Sequence, residues 1–398
     1  MNKLSTLTVF AILAMMLSAA IAPLGAADDE RYSITKSKDA LGFLKPVPVN
    51  VSGFTGEADS VLKNDLLFMG VQHVPLDQAQ YLITGSASGR VEGRLTDKPT
   101  KGILLNKAYN GGSTRQQIHA FADDIARALT GLPGIAQTKM TFKAEKGVGR
   151  SEIYIADFDG FGSQAVTSDN TIVARPEWRG RDMLVYTSYK LGSPRIFSHH
   201  LSSGARNPIA QHPGGNYSAA VSPDGSKVAM ILSKGGSPDL YVANIDGSGL
   251  KQLTKTRESE SAPCWSPDGR MICYGSRERG ASLLFTLPAS GGSPRVLSTT
   301  GAPTPTEPDW SPDGKWVAFT SQTRTFQICI VPANGGTGGD AIVLTEGEDP
   351  SWAPNSRALL FCRGLDHAKQ LSLLDVPTKQ VKTLGRILES NSQPSWAK

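Results

Sequence analysis

The sequence predicts an α/β N-terminal domain followed by an all-β six-bladed propeller. Three observations predict it. The phrase Trp265-Ser266-Pro267-Asp268-Gly269 returns as Trp310-Ser311-Pro312-Asp313-Gly314, with weaker copies at Val221-Ser222-Pro223-Asp224-Gly225 and Trp352-Ala353-Pro354-Asn355-Ser356. Trp178 opens a copy without the Pro-Asp-Gly, Trp396 opens a last one, and consecutive copies lie 42 to 45 residues apart, the length of a four-stranded blade. Residues 28–137 lack the phrase and mix helical with strand periodicity.

The phrase is a tight hairpin. Pro fixes φ at the first central position, Asp suits the next, and Gly closes the turn. The Trp ends a short strand and fills the wedge between blades. A period-2 apolar run follows each turn, as in Lys227-Val228-Ala229-Met230-Ile231 and Trp316-Val317-Ala318-Phe319. A third strand comes next, such as Asp239-Leu240-Tyr241-Val242-Ala243, then a short fourth, such as Lys251-Gln252-Leu253-Thr254. Four strands repeated in this way make a propeller.

Five blades start at 178, 221, 265, 310 and 352. The sixth takes its first strand from Gln393-Pro394-Ser395-Trp396 and the other three from 139–143, 152–156 and 164–167. This 1+3 closure removes the exposed sheet edges of an open array.

From the N-terminus, residues 1–27 read as a signal peptide, with Lys3, the apolar stretch Leu7 to Leu17 and the small residues Gly25-Ala26-Ala27. The apolar stretch is too short to span a membrane, so the expectation is a secreted, soluble protein with no membrane span. Residues 28–137 are expected to form the N-terminal α/β domain and 138–398 the propeller. In the first of these, Val47–Val51, Tyr81–Gly85, Arg90–Leu95 and Ile103–Asn106 read as strands. Glu57 to Phe68 reads as a helix with Val61, Leu62, Asp65, Leu66 and Met69 on one face, stopped by Gly70. A second helix starts at Ser113 with Gln116 as its capping-box partner, and Gly131 is its C-cap. Its expected buried face is Ile118, Phe121, Ala122, Ile125, Ala128 and Leu129.

Composition is that of a folded globular protein: 39% hydrophobic and 19% charged residues exclude a disordered chain. The net charge of +5 is mild and unclustered, so nucleic acid is not an expected partner. Cys264, Cys273, Cys329 and Cys362 are an even count, which in an oxidising compartment invites a disulfide, with Cys264 and Cys273 flanking one hairpin. The alternative, that all four fill blade cores as small hydrophobes, is the favoured one.

Catalytic signatures are missing. There is no G-x-S-x-G, H-E-x-x-H or P-loop, and the six histidines show no metal spacing. Asp157-Phe158-Asp159-Gly160 lacks the further ligands of a calcium loop and reads as a hairpin turn. The expectation is no enzyme, no metal and no cofactor. The alternative is a secreted propeller enzyme, a metal-assisted lyase or hydrolase, which needs several His or carboxylates converging at one mouth.

Loops on a rigid scaffold are where binding resides. The loops that return the chain to the centre, 211–219, 255–263, 299–309 and 346–349, cluster at one mouth of the channel and are polar. Tyr217 is the expected anchor, since aromatic residues are enriched at hot spots. Glu260, Thr306 and Glu307 join it as candidates, with Glu307 read as a surface contact that tolerates Lys without harm to the fold.

Three stretches carry a resemblance: the W-S-P-D-G repeat, the helix 122–134 ending Leu129-Thr130-Gly131-Leu132-Pro133-Gly134, and Glu152-Ile153-Tyr154-Ile155-Ala156-Asp157-Phe158-Asp159-Gly160-Phe161. Together with signal peptide, α/β domain and six WD40-like blades, they resemble the TolB family, periplasmic propellers of the bacterial Tol-Pal system. The resemblance covers nearly the whole mature chain. It implies a periplasmic monomer that binds a Pal-like lipoprotein at the propeller mouth and a TolA-like inner-membrane protein through its N-terminal segment. The system serves outer-membrane integrity and constriction during cell division. Counted back from the second and third repeats, the implied lipoprotein contacts are Gly215 and Ser218, then Ser261 and Ala262; the family's Thr-Glu-Pro appears at Thr306-Glu307-Pro308. Residues 28–36, with Tyr32 and Ile34 alternating, are the candidate TolA segment, docking by strand addition.

Overall fold

Each copy of the repeated phrase ends the first strand of a four-stranded antiparallel sheet. The computed structural model describes residues 44–278, 280–335, 340–365, 368–385 and 387–398. The signal peptide, the segment 28–36 and His367 lie outside the described residues. Six such sheets are present among them. Blades 1 to 5 run over 173–210, 216–252, 260–297, 305–346 and 348–383. Blade 6 joins Asn391–Trp396 to Lys139–Glu145, Ser151–Asp157 and Gln164–Ala165, with Trp396 opposite Met140 and Ser395 opposite Thr141. The expected 1+3 closure is the observed one.

The turns follow from the phrase. The Ser222, Ser266 and Ser311 hydroxyls donate to the Asp two positions on at 2.5–2.6 Å. They also accept the amide five positions on, and the Gly sits at φ 69–75°. In blade 5 Asn355 replaces Asp and accepts the Arg357 amide at 3.0 Å, while Ser356 takes the left-handed position at φ 56°. Trp265 reaches back to blade 2, its indole N–H donating to Ala220 O at 2.9 Å.

The N-terminal part is a five-stranded mixed sheet of β1 (Val47–Ser52), β2 (Val71–His73), β3 (Tyr81–Ser86), β4 (Val91–Asp97) and β5 (Ile103–Tyr109), ordered β2-β1-β3-β4-β5. Two helices complete it, α1 (Gly56–Phe68) and α2 (Thr114–Thr130). The capping box Ser113/Gln116 and the left-handed Gly131 cap are both formed. Two expectations are corrected. The short strand β2 is present but was not expected, since three residues carry no readable period. Ala128 is exposed, and Ala126 takes the buried place, because the helix face that meets the sheet is set by Ile118, Phe121, Ala122 and Ile125.

The two parts share one apolar core. It runs from Leu62, Leu66 and Phe121 to Met140, Phe158, Leu371 and Trp396. Its joint is the Asp157-Phe158-Asp159-Gly160 turn of blade 6. Phe158, fully buried, meets Phe68 and His119 edge-on with ring centroids 5.6 and 5.7 Å away. Asp159 pairs with Arg115 of α2, whose guanidinium lies 4.1 Å from the Phe161 ring. Asp65, read from the sequence as one position of an apolar stripe, is buried against His119 with Oδ2 2.6 Å from Nδ1. Burial pushes its carboxyl up to about 6 in spite of that partner.

All four cysteines are free and buried. Cys264 and Cys273 stand opposite each other across their hairpin, unbridged.

Candidate functional site

The six first strands line the propeller axis in chain order, blade 1 packing against blades 2 and 6. Each carries the same irregularity. The residues in it, Arg175, Ser218, Ala262, Glu307, Asp349 and Gln393, have φ between 33° and 55°. Pairing with the second strand shifts register at each of these positions. A bulge of this kind re-aims a side chain, and a non-glycine residue in the left-handed region costs about 1–3 kcal/mol. Five of the six are followed by Pro, in a second repeat, X-Pro-X-Trp: Arg175-Pro176-Glu177-Trp178, Ala262-Pro263-Cys264-Trp265, Glu307-Pro308-Asp309-Trp310, Asp349-Pro350-Ser351-Trp352 and Gln393-Pro394-Ser395-Trp396. The signal stands in the sequence immediately before the phrase that set the blades, and reading the phrase alone missed it.

All six bulge residues border a cavity of about 660 Å³ that extends along the axis to the turn residues Asp224, Gly225, Pro267 and Pro312. In an up-and-down blade the 1–2 and 3–4 turns lie at one end, and the 2–3 turns and inter-blade loops at the other. The cavity therefore faces the turn side, and the loops read from the sequence rim the opposite mouth.

The eight candidate residues divide accordingly. Ser218, Ala262 and Glu307 border the cavity. Tyr217 and Ser261 are exposed at the loop mouth. Gly215 lies under Tyr217; a Cβ there would fall 2.1 Å from its ring. Thr306 is half-buried. Glu260 is buried, accepting from Thr256 Oγ1 at 3.0 Å and Ser276 Oγ at 3.2 Å, so it braces its loop. Glu307 is no free surface contact: its Oε1 accepts from Arg175 Nη2 at 2.8 Å and its Oε2 from Thr320 Oγ1 at 3.0 Å. Lys at 307 would set two cations against each other at the axis, so Glu307→Lys does not spare the fold.

A second ionic group lies nearer the turn face. Lys398 Nζ is 2.7 Å from both carboxylate oxygens of Asp309, and Asp309 Oδ2 accepts the Trp352 amide at 2.7 Å. Glu177 accepts from Ser395 Oγ at 3.1 Å. Burial pushes the Glu177 carboxyl from 4.5 up to about 7, with Lys398 opposing and Asp309 assisting. A raised acid pKa means that the folded chain binds the proton more tightly than the unfolded one. Stability is then lost as pH rises from about 4.5 through 7, and the loss is complete above 7. Glu177→Gln should accordingly stabilise the protein by about 1 kcal/mol at pH 8, after discount for partial exposure, and by little at pH 5. Denaturant unfolding at the two pH values checks this; equal stability of the two proteins at pH 8 would contradict it.

Among the described residues no group of three or more His, Cys, Asp or Glu is placed to hold a metal ion, and none of their helices is long and apolar enough to cross a membrane.

Residues 126–398 match the family described as the TolB beta propeller domain. The Tol-Pal system protein TolB of Anaeromyxobacter dehalogenans (strain 2CP-1) is 30% identical over 292 residues, which is 63% of this chain and 65% of that protein. The same figures hold for the Tol-Pal system protein TolB of Anaeromyxobacter sp. (strain K). The match thus spans about 65% of the length of these curated relatives. The crystal structure of TolB from Acinetobacter baumannii superposes with a TM-score of 0.80 at 22% identity, covering 88% of this chain and 96% of that one. A chain of the nidogen/laminin complex superposes with a TM-score of 0.53 at 12% identity, over 65% of this chain and 98% of that one; both are likenesses of fold. The repeat, the closure through Trp396 and the family match over 126–398 place the chain in the TolB β-propeller family.

Proposed function

We propose that this protein is a binding hub of the Tol-Pal system. In this reading it works in the periplasm, without catalysis. It holds a peptidoglycan-associated lipoprotein (Pal) at the loop mouth of the propeller and the inner-membrane TolA protein through its N-terminal segment. The role is outer-membrane integrity and constriction during division. Family membership and the Tol-Pal designation of the relatives support the system. The TolA contact at residues 28–36 rests on the resemblance alone.

The observation that carries the lipoprotein site is the exposed aromatic ring of Tyr217 at the loop mouth. Ile172, Leu191, Tyr217 and Phe326 are large hydrophobic side chains left exposed. Ile172 precedes the first strand of blade 1 and Leu191 lies in its 2–3 turn. Tyr217 is near the start of the first strand of blade 2, and Phe326 opens the third strand of blade 4. Aromatic side chains exposed on a rigid scaffold suit protein binding. Tyr217 is seated over Gly215, which fixes its ring at little entropic cost on binding.

The test is a calorimetric titration of the purified Pal domain from the same organism into wild type and Tyr217→Ala. The variant should lose at least about 2 kcal/mol, the hot-spot threshold, with unchanged thermal unfolding, since Tyr217 is a surface residue. Undiminished affinity would remove Tyr217 as the anchor.

A further inference from the structure

At the bulge ring two carboxylates and one guanidinium meet on the axis. Glu307 belongs to blade 4 and Asp349 to blade 5, while Arg175 belongs to blade 1, directly across the ring from blade 4. The Arg175 side chain therefore spans the channel. Its Nη2 lies 2.8 Å from Glu307 Oε1 and its Nη1 3.7 Å from Asp349 Oδ1. Asp349 is 7% exposed. Its Oδ2 accepts the Gln393 amide at 3.1 Å, but its Oδ1 accepts no hydrogen bond. The Asp349 amide in turn donates to Thr320 Oγ1 at 3.0 Å, holding the two acids on one side.

We propose that Glu307 and Asp349 form a guanidinium site at the centre of the propeller, filled in the free protein by the chain's own Arg175 and open to exchange with an arginine side chain entering by the turn-face cavity. Three features carry it. A planar guanidinium suits two carboxylates at once, where an ammonium does not. Arg175 satisfies one acid well and the other poorly, so an acceptor is left over, buried and bordering the cavity. The bulge that all six first strands share turns the side chains of these three residues toward the axis. The charges agree with the geometry. Burial and the neighbouring Glu307 push Asp349 up to about 7, while Arg175 outweighs burial and holds Glu307 below the usual carboxylate range. Without a cation the two acids would face each other in a low dielectric.

Self-occupancy lowers the apparent affinity for an outside guanidinium by the fraction of time that Arg175 leaves the site. Methylguanidinium, with methylammonium as control, is titrated into wild type and into Arg175→Ala and followed by NMR. The variant should bind methylguanidinium at least about tenfold more tightly than wild type and prefer it to methylammonium. Adding Glu307→Gln should abolish the gain. Should Arg175→Ala not fold, Arg175→Met keeps the apolar stem, and its melting temperature should rise in about 10 mM methylguanidinium while that of wild type does not. Equal affinity of variant and wild type, equal response to both cations, or no thermal response of the Met variant would each overturn the proposal. The probe is a small cation, so this result stands apart from whether a lipoprotein binds the loop mouth.

Discussion

Deleting residues 391–398 is expected to abolish the cooperative fold of the propeller. The segment supplies the innermost strand of blade 6, Asn391–Trp396, which pairs with Lys139–Glu145. Trp396 is 2% exposed and donates its indole N–H to Thr138 Oγ1 at 2.7 Å, where the α/β part meets the blade. Loss of a buried Trp alone costs about 3–5 kcal/mol. The deletion also breaks the ladder with Lys139–Glu145, bares the edge of that strand and removes the Lys398–Asp309 pair. Set against the 5–15 kcal/mol typical of a whole domain, the sum leaves little. Circular dichroism and thermal unfolding should show a chain without a native transition. A transition near that of the full chain would mean that the ring is closed elsewhere.

Phe158→Ala is expected to cost about 3–5 kcal/mol and to loosen the α/β part from the propeller. The ring fills the space between Phe68 of α1 and His119 of α2. A cavity there also lets water reach the buried Asp65–His119 pair, whose Asp65 Oδ1 and His119 Nε2 have no hydrogen-bond partner. Proteolysis should then cut between the two parts, near 131–138, faster than in wild type. Stability within about 1 kcal/mol of wild type would show that Phe158 is not the joint.

The blades were legible because their cause is local. Ser-Pro-Asp-Gly builds its own turn through bonds spanning two to five residues, and six repeats at one spacing stack into a ring that covers both faces of every blade. The same holds for Ser113 and Gln116. What escaped depends on residues far apart in the chain. Asp65 looks like a flaw in an apolar stripe until His119, 54 residues on, is placed beside it. Glu307 looks like a loop acid until a bulge turns it inward to Arg175, 132 residues earlier. Glu260 looked available for the same reason, and Thr256 and Ser276 claim it. The bulges themselves had a visible signal in X-Pro-X-Trp. Its effect was hidden because a residue before proline ordinarily favours extended backbone, whereas five of these adopt the left-handed form.

As proposed, Pal binding belongs to the loop mouth, while the turn-face cavity is left to a guanidinium group. Amide hydrogen exchange of the full chain, with and without the Pal domain of its own organism, tests it most directly. Pal should slow exchange in the loops 211–219, 255–263 and 299–309 and leave the Ser-Pro-Asp-Gly turns at 222–225, 266–269 and 311–314 unchanged. Protection of those turns with the loops unaffected would contradict it.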